Sequence, residues 1–317
     1  MKYGMPYKGS KNKIAGQIFE LFPRKKNFYD LFCGGCAMTH YGLLHGDFEN
    51  YFMNDINPAC PELFMDAVHG KFKNEKRWIS REDFEKLKDV EPYVAFCWSF
   101  GNNLRDYLYG KDWEEIKRAW HYAIFFDDFE PAKKLTGIDF SPIKNIKNRK
   151  EKYLTSKEII RKFYNPSVFG VTQQLQSLES LESLESLQSL QSLQSLERLE
   201  RLERLQRLES FNKSYDEIEI KKDSVIYCDI PYEGTDGYLT EFDFEKFYSW
   251  CEKQTEPLFI SSYKMPSDRF VCVAMFKHRC TLNSDQNIEV TEKVFIPKHQ
   301  EKEYHLPGSL FNFDELM

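Results

Sequence analysis

Two strand-like segments, each ending in an aspartate and standing far apart in the chain, restrict what this sequence can fold into. Phe28-Tyr29-Asp30-Leu31-Phe32 reads as a short buried strand that runs into Cys33-Gly34-Gly35-Cys36 and then a helical stretch to Leu44. A second strand, Tyr51-Phe52-Met53, ends in Asn54-Asp55. Strand, glycine turn, helix, strand and acid, in that order, build a parallel sheet with right-handed crossovers. The pattern resumes at Asp223-Ser224-Val225-Ile226-Tyr227-Cys228, a strand that delivers Asp229-Ile230-Pro231-Tyr232 at its carboxyl end. Asp30 and Asp229 are 199 positions apart. Adjacent strands of one sheet need far less, so the chain between about 58 and 211 reads as an insertion. Beyond Asp229, Leu258–Tyr263 and Val271–Ala274 read as two further strands, with an amphipathic helix from Phe244 to Cys251 between them.

The expected architecture is therefore α/β: a Rossmann-like sheet domain formed by 1–57 and 211–317, interrupted by a mostly helical domain over 58–172. Helical charge patterning in Arg81–Val90 and Trp113–Phe126 supports that reading, as does the basic, proline-punctuated stretch around Ser141-Pro142. Residues 173–210 are a low-complexity connector in which leucine recurs at every third position from Leu175 to Leu208. Three residues turn an α-helix by 300°, so a leucine stripe at this spacing slips 60° per triplet and keeps no single face apolar. A coiled coil needs an average spacing of 3.5. The repeat is therefore expected to be an exposed or partly frayed helix with no catalytic work.

Length and composition exclude several classes. At 317 residues, 41% hydrophobic and 16% aromatic, the chain is globular and long enough for about two domains of ~150 residues. No window approaches eighteen consecutive apolar residues, and the start scatters Lys2, Lys8, Lys11 and Lys13 where a signal core would be apolar. A soluble, cytoplasmic protein with no membrane partner is expected. Eight cysteines in so long a chain do not form a secreted disulfide framework, and reduced thiols are expected. The net charge of −6 conceals two basic segments: seven Lys or Arg against Glu20 in residues 1–26, and ten against Asp139, Glu151 and Glu158 between Lys133 and Lys162. Charge acts over about a Debye length, ~8–10 Å in physiological salt, so these segments are candidate phosphate-contacting surfaces.

Several residues can carry chemistry. The turn after Asp30 lets backbone approach a ligand closely, and Asp55 can bind ribose hydroxyls. A full Gly-x-Gly-x-x-Gly is absent, which suits a nucleoside ligand without pyrophosphate better than a dinucleotide. Cys33 and Cys36 form a Cys-x-x-Cys, but no second close pair completes a metal site; small residues lining a cofactor loop are the better account. Asp229-Ile230-Pro231-Tyr232 offers a carboxylate, a backbone carbonyl, a rigid turn and an aromatic face. Two acceptors gripping an exocyclic aromatic amine favour its nucleophilic geometry, and Tyr232 can stack on the base, which must be flipped out of a duplex.

Taken together these residues resemble the Dam-like adenine-specific DNA methyltransferases of the D12 class, alpha type. Met5-Pro6-Tyr7-Lys8-Gly9-Ser10-Lys11 is similar to that family's N-terminal aromatic-Gly-Lys motif, Asp30-Leu31-Phe32-Cys33-Gly34-Gly35 to its cofactor loop, Asn54-Asp55-Ile56-Asn57 to its second acidic motif, and Asp229-Ile230-Pro231-Tyr232 to its Asp-Pro-Pro-Tyr. Ser214–Ile218 and Ile260-Ser261-Ser262-Tyr263 also fit. Ile230 departs from the first proline and Cys36 from a glycine. The resemblance implies a site-specific DNA adenine-N6 methyltransferase of a bacterial or phage-encoded type. Its methyl donor would be S-adenosyl-L-methionine and its substrate double-stranded DNA, with a cognate restriction endonuclease as a possible partner. By resemblance Tyr7, Asp30, Phe32, Cys33, Gly34, Asp55 and Asp229 surround the cofactor, and Asp229, Ile230, Pro231 and Tyr232 are catalytic. No metal is required, because the sulfonium already makes the methyl transferable.

For DNA, Lys8 and Lys11 are expected at the backbone beside the site. Asn102, Asn103 and Arg105 carry groups that pair with adenine and guanine edges, and Lys144 and Lys147 are expected at phosphates together with Arg149 and Lys150. Two alternatives stand beside this reading. One is methyl transfer to an RNA adenine or a protein glutamine amide; the other is a catalytically silent DNA-binding protein of the same fold.

Overall fold

The computed structural model describes residues 3–164, 181–197, 199–231, 242–279 and 289–303. Within them the chain forms a mixed α/β protein with one seven-stranded sheet: β1 (Asn27–Asp30), β2 (Asn50–Asn54), β3 (Leu208–Phe211), β4 (Ser224–Asp229), β5 (Leu258–Ser262), β6 (Phe270–Arg279) and β7 (Glu289–Pro297). The order across the sheet is β3-β2-β1-β4-β5-β7-β6. The first five strands of that order run parallel; β7 is antiparallel to both β5 and β6. β1, β4 and β5 are almost entirely buried along their length, as parallel strands covered on both faces must be, and this is why they read as unbroken apolar runs. Tyr29 of β1 stacks on Phe52 of β2 at 4.3 Å between ring centres, and the same core takes in Ile226, Phe247, Leu258, Ile260 and Phe295.

The chain divides into two compact units. The first holds the sheet and is drawn from Met1–Gly4, Gly9–Met65 and Ser195–Met317; the second comprises Met5–Lys8 and Asp66–Gln194. Among the described residues the second unit carries no strand of the sheet, and its helices include Arg81–Leu87, Pro92–Trp98, Lys111–Phe126, Glu130–Thr136, Arg149–Tyr164 and Glu182–Leu193. Its core is aromatic: Trp98, Trp120, Tyr107, Tyr109 and Phe140 are all buried.

The leucine triplets differ from expectation. Leu181, Leu184, Leu187, Leu190, Leu193 and Leu196 are all buried, none more than 2% exposed. The 60° slip does carry successive leucines around the helix, but the Glu182–Leu193 helix runs inside its unit and meets partners on several sides. Ser183 shares a 2.9 Å hydrogen bond with the Tyr109 hydroxyl, Tyr153 donates to Glu185 at 2.8 Å, and Gln191 Nε2 donates to the Phe72 carbonyl at 2.8 Å. A stripe that circles a helix is wasted on an exposed connector and is well used by an enclosed one. The end of the repeat departs as well. Leu208–Ser210, placed in the connector by the sequence, form with Phe211 the edge strand β3, paired in parallel with β2 from Tyr51↔Leu208 to Asn54↔Phe211. Leu175 and Leu178 lie outside the described residues.

No helix among the described residues is long and apolar enough to cross a membrane.

Candidate active site

Three aspartates meet at the carboxyl ends of the central strands. Asp30 closes β1, Asp55 follows β2, and Asp229 closes β4. The chain returns to the sheet on opposite sides of β1, so the strand order reverses between β1 and β4; in open α/β sheets this is where a ligand crevice forms.

The loop between β1 and the Ala37–His45 helix is held by backbone bonds that need its sequence. Gly34 has φ 45° and Cys36 φ 56°, both left-handed, and the Cys36 N–H turns back to the Cys33 carbonyl at 2.6 Å. Cys36 thus occupies a conformation that favours glycine, which explains why a glycine is the residue it departs from. Gly4 (φ 73°) packs against this loop: a Cβ there would lie 2.3 Å from the Gly35 carbonyl oxygen. Cys33 and Cys36 form no disulfide; the Cys36 thiol donates to the Cys33 sulfur at 3.5 Å, and burial pushes both thiols up. Among the described residues no cluster of three or more His, Cys, Asp or Glu could hold a metal ion.

Each aspartate is held differently. Asp55, half-buried, accepts from the Gly34 N–H at 2.8 Å with Oδ2 and from the Asn57 N–H at 2.9 Å with Oδ1, and so ties the tip of the glycine loop to β2. Burial raises its carboxyl above the usual range, with these two N–H groups opposing. Asp30 Oδ2 accepts from the Thr39 hydroxyl (2.7 Å) and N–H (3.1 Å), whereas its buried Oδ1 has no hydrogen-bond partner among the described residues. Burial first, then the fields of Asp229 and Asp55, push the Asp30 carboxyl up to about 7, against the Thr39 hydrogen bonds. Phe32 stacks on Tyr215 at 5.5 Å, which gives the Ser214–Ile218 segment its place beside the loop that follows β1.

The raised Asp30 carboxyl has a consequence for stability. Folded protein keeps a proton there over a range, from about pH 4 to about 7, in which the unfolded chain has lost it; stability falls as pH rises through that window. Asp30→Asn, which preserves an acceptor for Thr39, removes the slope. Its melting temperature is expected to rise relative to wild type at pH 8 and to show no such gain at pH 4. An equal difference at both pH values in thermal melts would contradict a buried, protonated Asp30.

The other expected site residues divide by exposure. The Asp229 side chain is 22% exposed and paired to Lys11. Ile230 is buried and Pro231 half-buried; Tyr232 lies outside the described residues. Lys11 is a correction: with 5% of its side chain exposed and its Nζ on Asp229, it is a buried internal partner, unavailable to a phosphate. Nothing in a Lys-rich N-terminus distinguishes it beforehand from Lys8, which is exposed. Tyr7 belongs to the second unit, where it stacks on Phe96 at 5.7 Å.

Asn102 and Asn103 are both engaged within their own loop. Asn102 Nδ2 donates to the Phe96 carbonyl at 3.0 Å. Asn103 donates to Asp106 and accepts from the N–H groups of Arg105 and Asp106, so its amide is used at both ends. Together with left-handed Gly101, Asn102 and Leu104 they build a tight loop closed by the Ser99↔Tyr107 bridge, leaving Phe100 65% exposed and Arg105 outward. Lys144, Lys147 and Lys150 are exposed, while Arg149 is only half-exposed and lies 4.5 Å over the Phe125 ring.

The sequence model of the D12 class N6 adenine-specific DNA methyltransferases matches residues 7–109. That span takes in Tyr7, the loop after β1 and Asp55 and runs to the Ser99–Tyr107 loop, stopping well before Asp229; over it, the resemblance read from the motifs is shown. No curated protein matches the chain.

Proposed function

We propose that this chain, matched over residues 7–109 by the D12 class of DNA adenine methyltransferases, transfers a methyl group from S-adenosyl-L-methionine to the N6 of an adenine flipped out of duplex DNA. The observation that carries the reading is Asp229: a partly exposed carboxylate at the end of β4, where the strand order reverses, and at the same carboxyl end of the sheet as Asp30 and Asp55. Bound S-adenosylmethionine would supply a methyl group that its sulfonium already activates. The residues present suit such a molecule. The unpartnered Asp30 Oδ1 and the half-exposed Asp55 offer acceptors for its cationic and hydroxyl groups, Phe32 an aromatic surface, and the Gly34 turn room for close approach.

The chain's part is positioning and charge. Asp229 and the Ile230 carbonyl accept from the exocyclic amine, drawing its lone pair out of conjugation so that nitrogen can attack. The carbonyl role needs only backbone, so the Ile230 departure from proline leaves it intact. After transfer the nitrogen carries an extra proton, which leaves through Asp229 to water. Tyr232 is the proposed stacking surface for the flipped base. The helical unit is the proposed target-recognition part, with Arg105 at base edges and Lys8, Lys144 and Lys147 at phosphates, which position without reading sequence.

The test is transfer of tritium from methyl-labelled S-adenosylmethionine to undermethylated genomic DNA, to RNA and to a protein extract, with modified-base detection on the DNA product. Label recovered as N6-methyladenine in duplex DNA is expected. Label confined to RNA or protein, or absent from all three, overturns the reading.

A further inference from the structure

Lys11 is a cation set among carboxylates. Its Nζ lies 2.7 Å from Oδ1 and 2.8 Å from Oδ2 of Asp229, 3.1 Å from the Gly9 carbonyl oxygen, and 3.8 Å from Oε2 of Glu292 on β7. The Lys11 side chain is 5% exposed and that of Glu292 3%. We propose that Lys11 and Glu292 are positioning residues for the methyl transfer: Lys11 fixes the Asp229 carboxylate and directs the site's negative charge onto it, and Glu292 fixes Lys11. The inference rests on the functional reading above.

Geometry carries the first half. A lysine held between both oxygens stops the carboxylate from rotating and so fixes the direction from which the incoming amine meets it. Electrostatics carries the second. Asp30, Asp55 and Asp229 crowd the carboxyl ends of neighbouring strands, and like charges so placed do not all ionise readily. Asp30 and Asp55 are pushed towards their protonated forms, while Asp229 has the cation. Tyr227 and Cys228, which precede Asp229 on β4, are driven well up by burial and stay neutral. Burial works against a charged Lys11, but the fields of Asp229 and Glu292, the hydrogen bond to Asp229 and a smaller contribution from Tyr263 outweigh it, so its ammonium is held above the usual lysine range. Glu292 thus supplies the second negative charge that keeps a buried ammonium ionised while Asp229 is turned to the substrate.

The experiment is the pH profile of single-turnover methyl transfer to a duplex oligonucleotide, together with the dissociation constants for S-adenosylmethionine and DNA. Lys11→Met is expected to slow transfer by about 10²-fold, as loss of one oriented polar group at a reacting centre does, and to leave both dissociation constants within about threefold. Its acidic limb should move up by about one pH unit, because the opposite charge that favours an ionised Asp229 is gone. Lys11→Arg keeps the charge and should keep the acidic limb in place, whatever its rate. Glu292→Gln should move the alkaline limb down, because Lys11 then loses its proton more easily. If Lys11→Met does not fold, the Lys11→Arg and Glu292→Gln profiles decide. Unmoved limbs in Lys11→Met, or in Glu292→Gln where Lys11→Met is lost, overturn the inference even if the rate falls, since a merely structural role lowers rate without moving a limb. A wild-type protein that methylates no DNA overturns the functional reading and this inference together.

Discussion

Asp229→Ala is expected to lower single-turnover methyl transfer by about 10²–10³-fold, the cost of losing one oriented polar group at the reacting centre. The fold should survive. Asp229 lies at the end of β4, where the strand gives way to the half-buried Pro231, and the lysine left behind retains Glu292 at 3.8 Å and the Gly9 carbonyl at 3.1 Å. Binding to duplex DNA should change little, since phosphate contacts dominate that affinity and Asp229 makes none in the proposed arrangement. Circular dichroism, a mobility-shift titration and a label-transfer assay on the same preparation separate these three quantities. Transfer within tenfold of wild type would remove Asp229 from the chemistry.

The second large effect concerns the leucine triplets. Leu184 and Leu190 point about 120° apart on an ideal helix, yet Leu184→Ala and Leu190→Ala are each expected to destabilise the unit by about 2–5 kcal/mol, because both side chains are buried and each truncation leaves a cavity. Leu190→Asp should be worse, since it sets a carboxylate in an apolar space without a partner. Urea denaturation followed by tryptophan fluorescence can read the change, as Trp98 and Trp120 are buried in the same unit. For an exposed connector all three substitutions would fall within about 0.5 kcal/mol of wild type. Near-zero values would restore the connector reading.

What the sequence made legible follows from how local each signal is. β1, β2, β4 and β5 are short apolar runs, the first three ending at or beside an aspartate, and a parallel strand buried on both faces leaves that signature unaided. Asp30, Asp55 and Asp229 were found because each terminates such a run. β7 was missed, since Glu289, Glu292 and Lys293 interrupt its apolar residues and one of those charges, Glu292, is buried against a lysine 281 positions earlier. The part of Lys11 is illegible for the same reason: nothing near it in the chain marks it as internal. Asn102 and Asn103 carry a signal that reads two ways, because the amides that suit a base edge also suit a tight turn, where Asn102 meets the carbonyl of Phe96 and Asn103 the carboxylate of Asp106. The leucine spacing was measured correctly but judged against a one-sided helix, when the helix is covered on several sides.

The enclosed repeat has a mechanical corollary. Sliding the Glu182–Leu193 helix along its axis by one triplet, about 4.5 Å with a 300° turn, replaces leucine by leucine and serine by serine at nearly every position. Its interface therefore distinguishes adjacent settings poorly, much as a screw thread fits a nut one pitch further on. The setting has to be fixed by sequence outside the repeat.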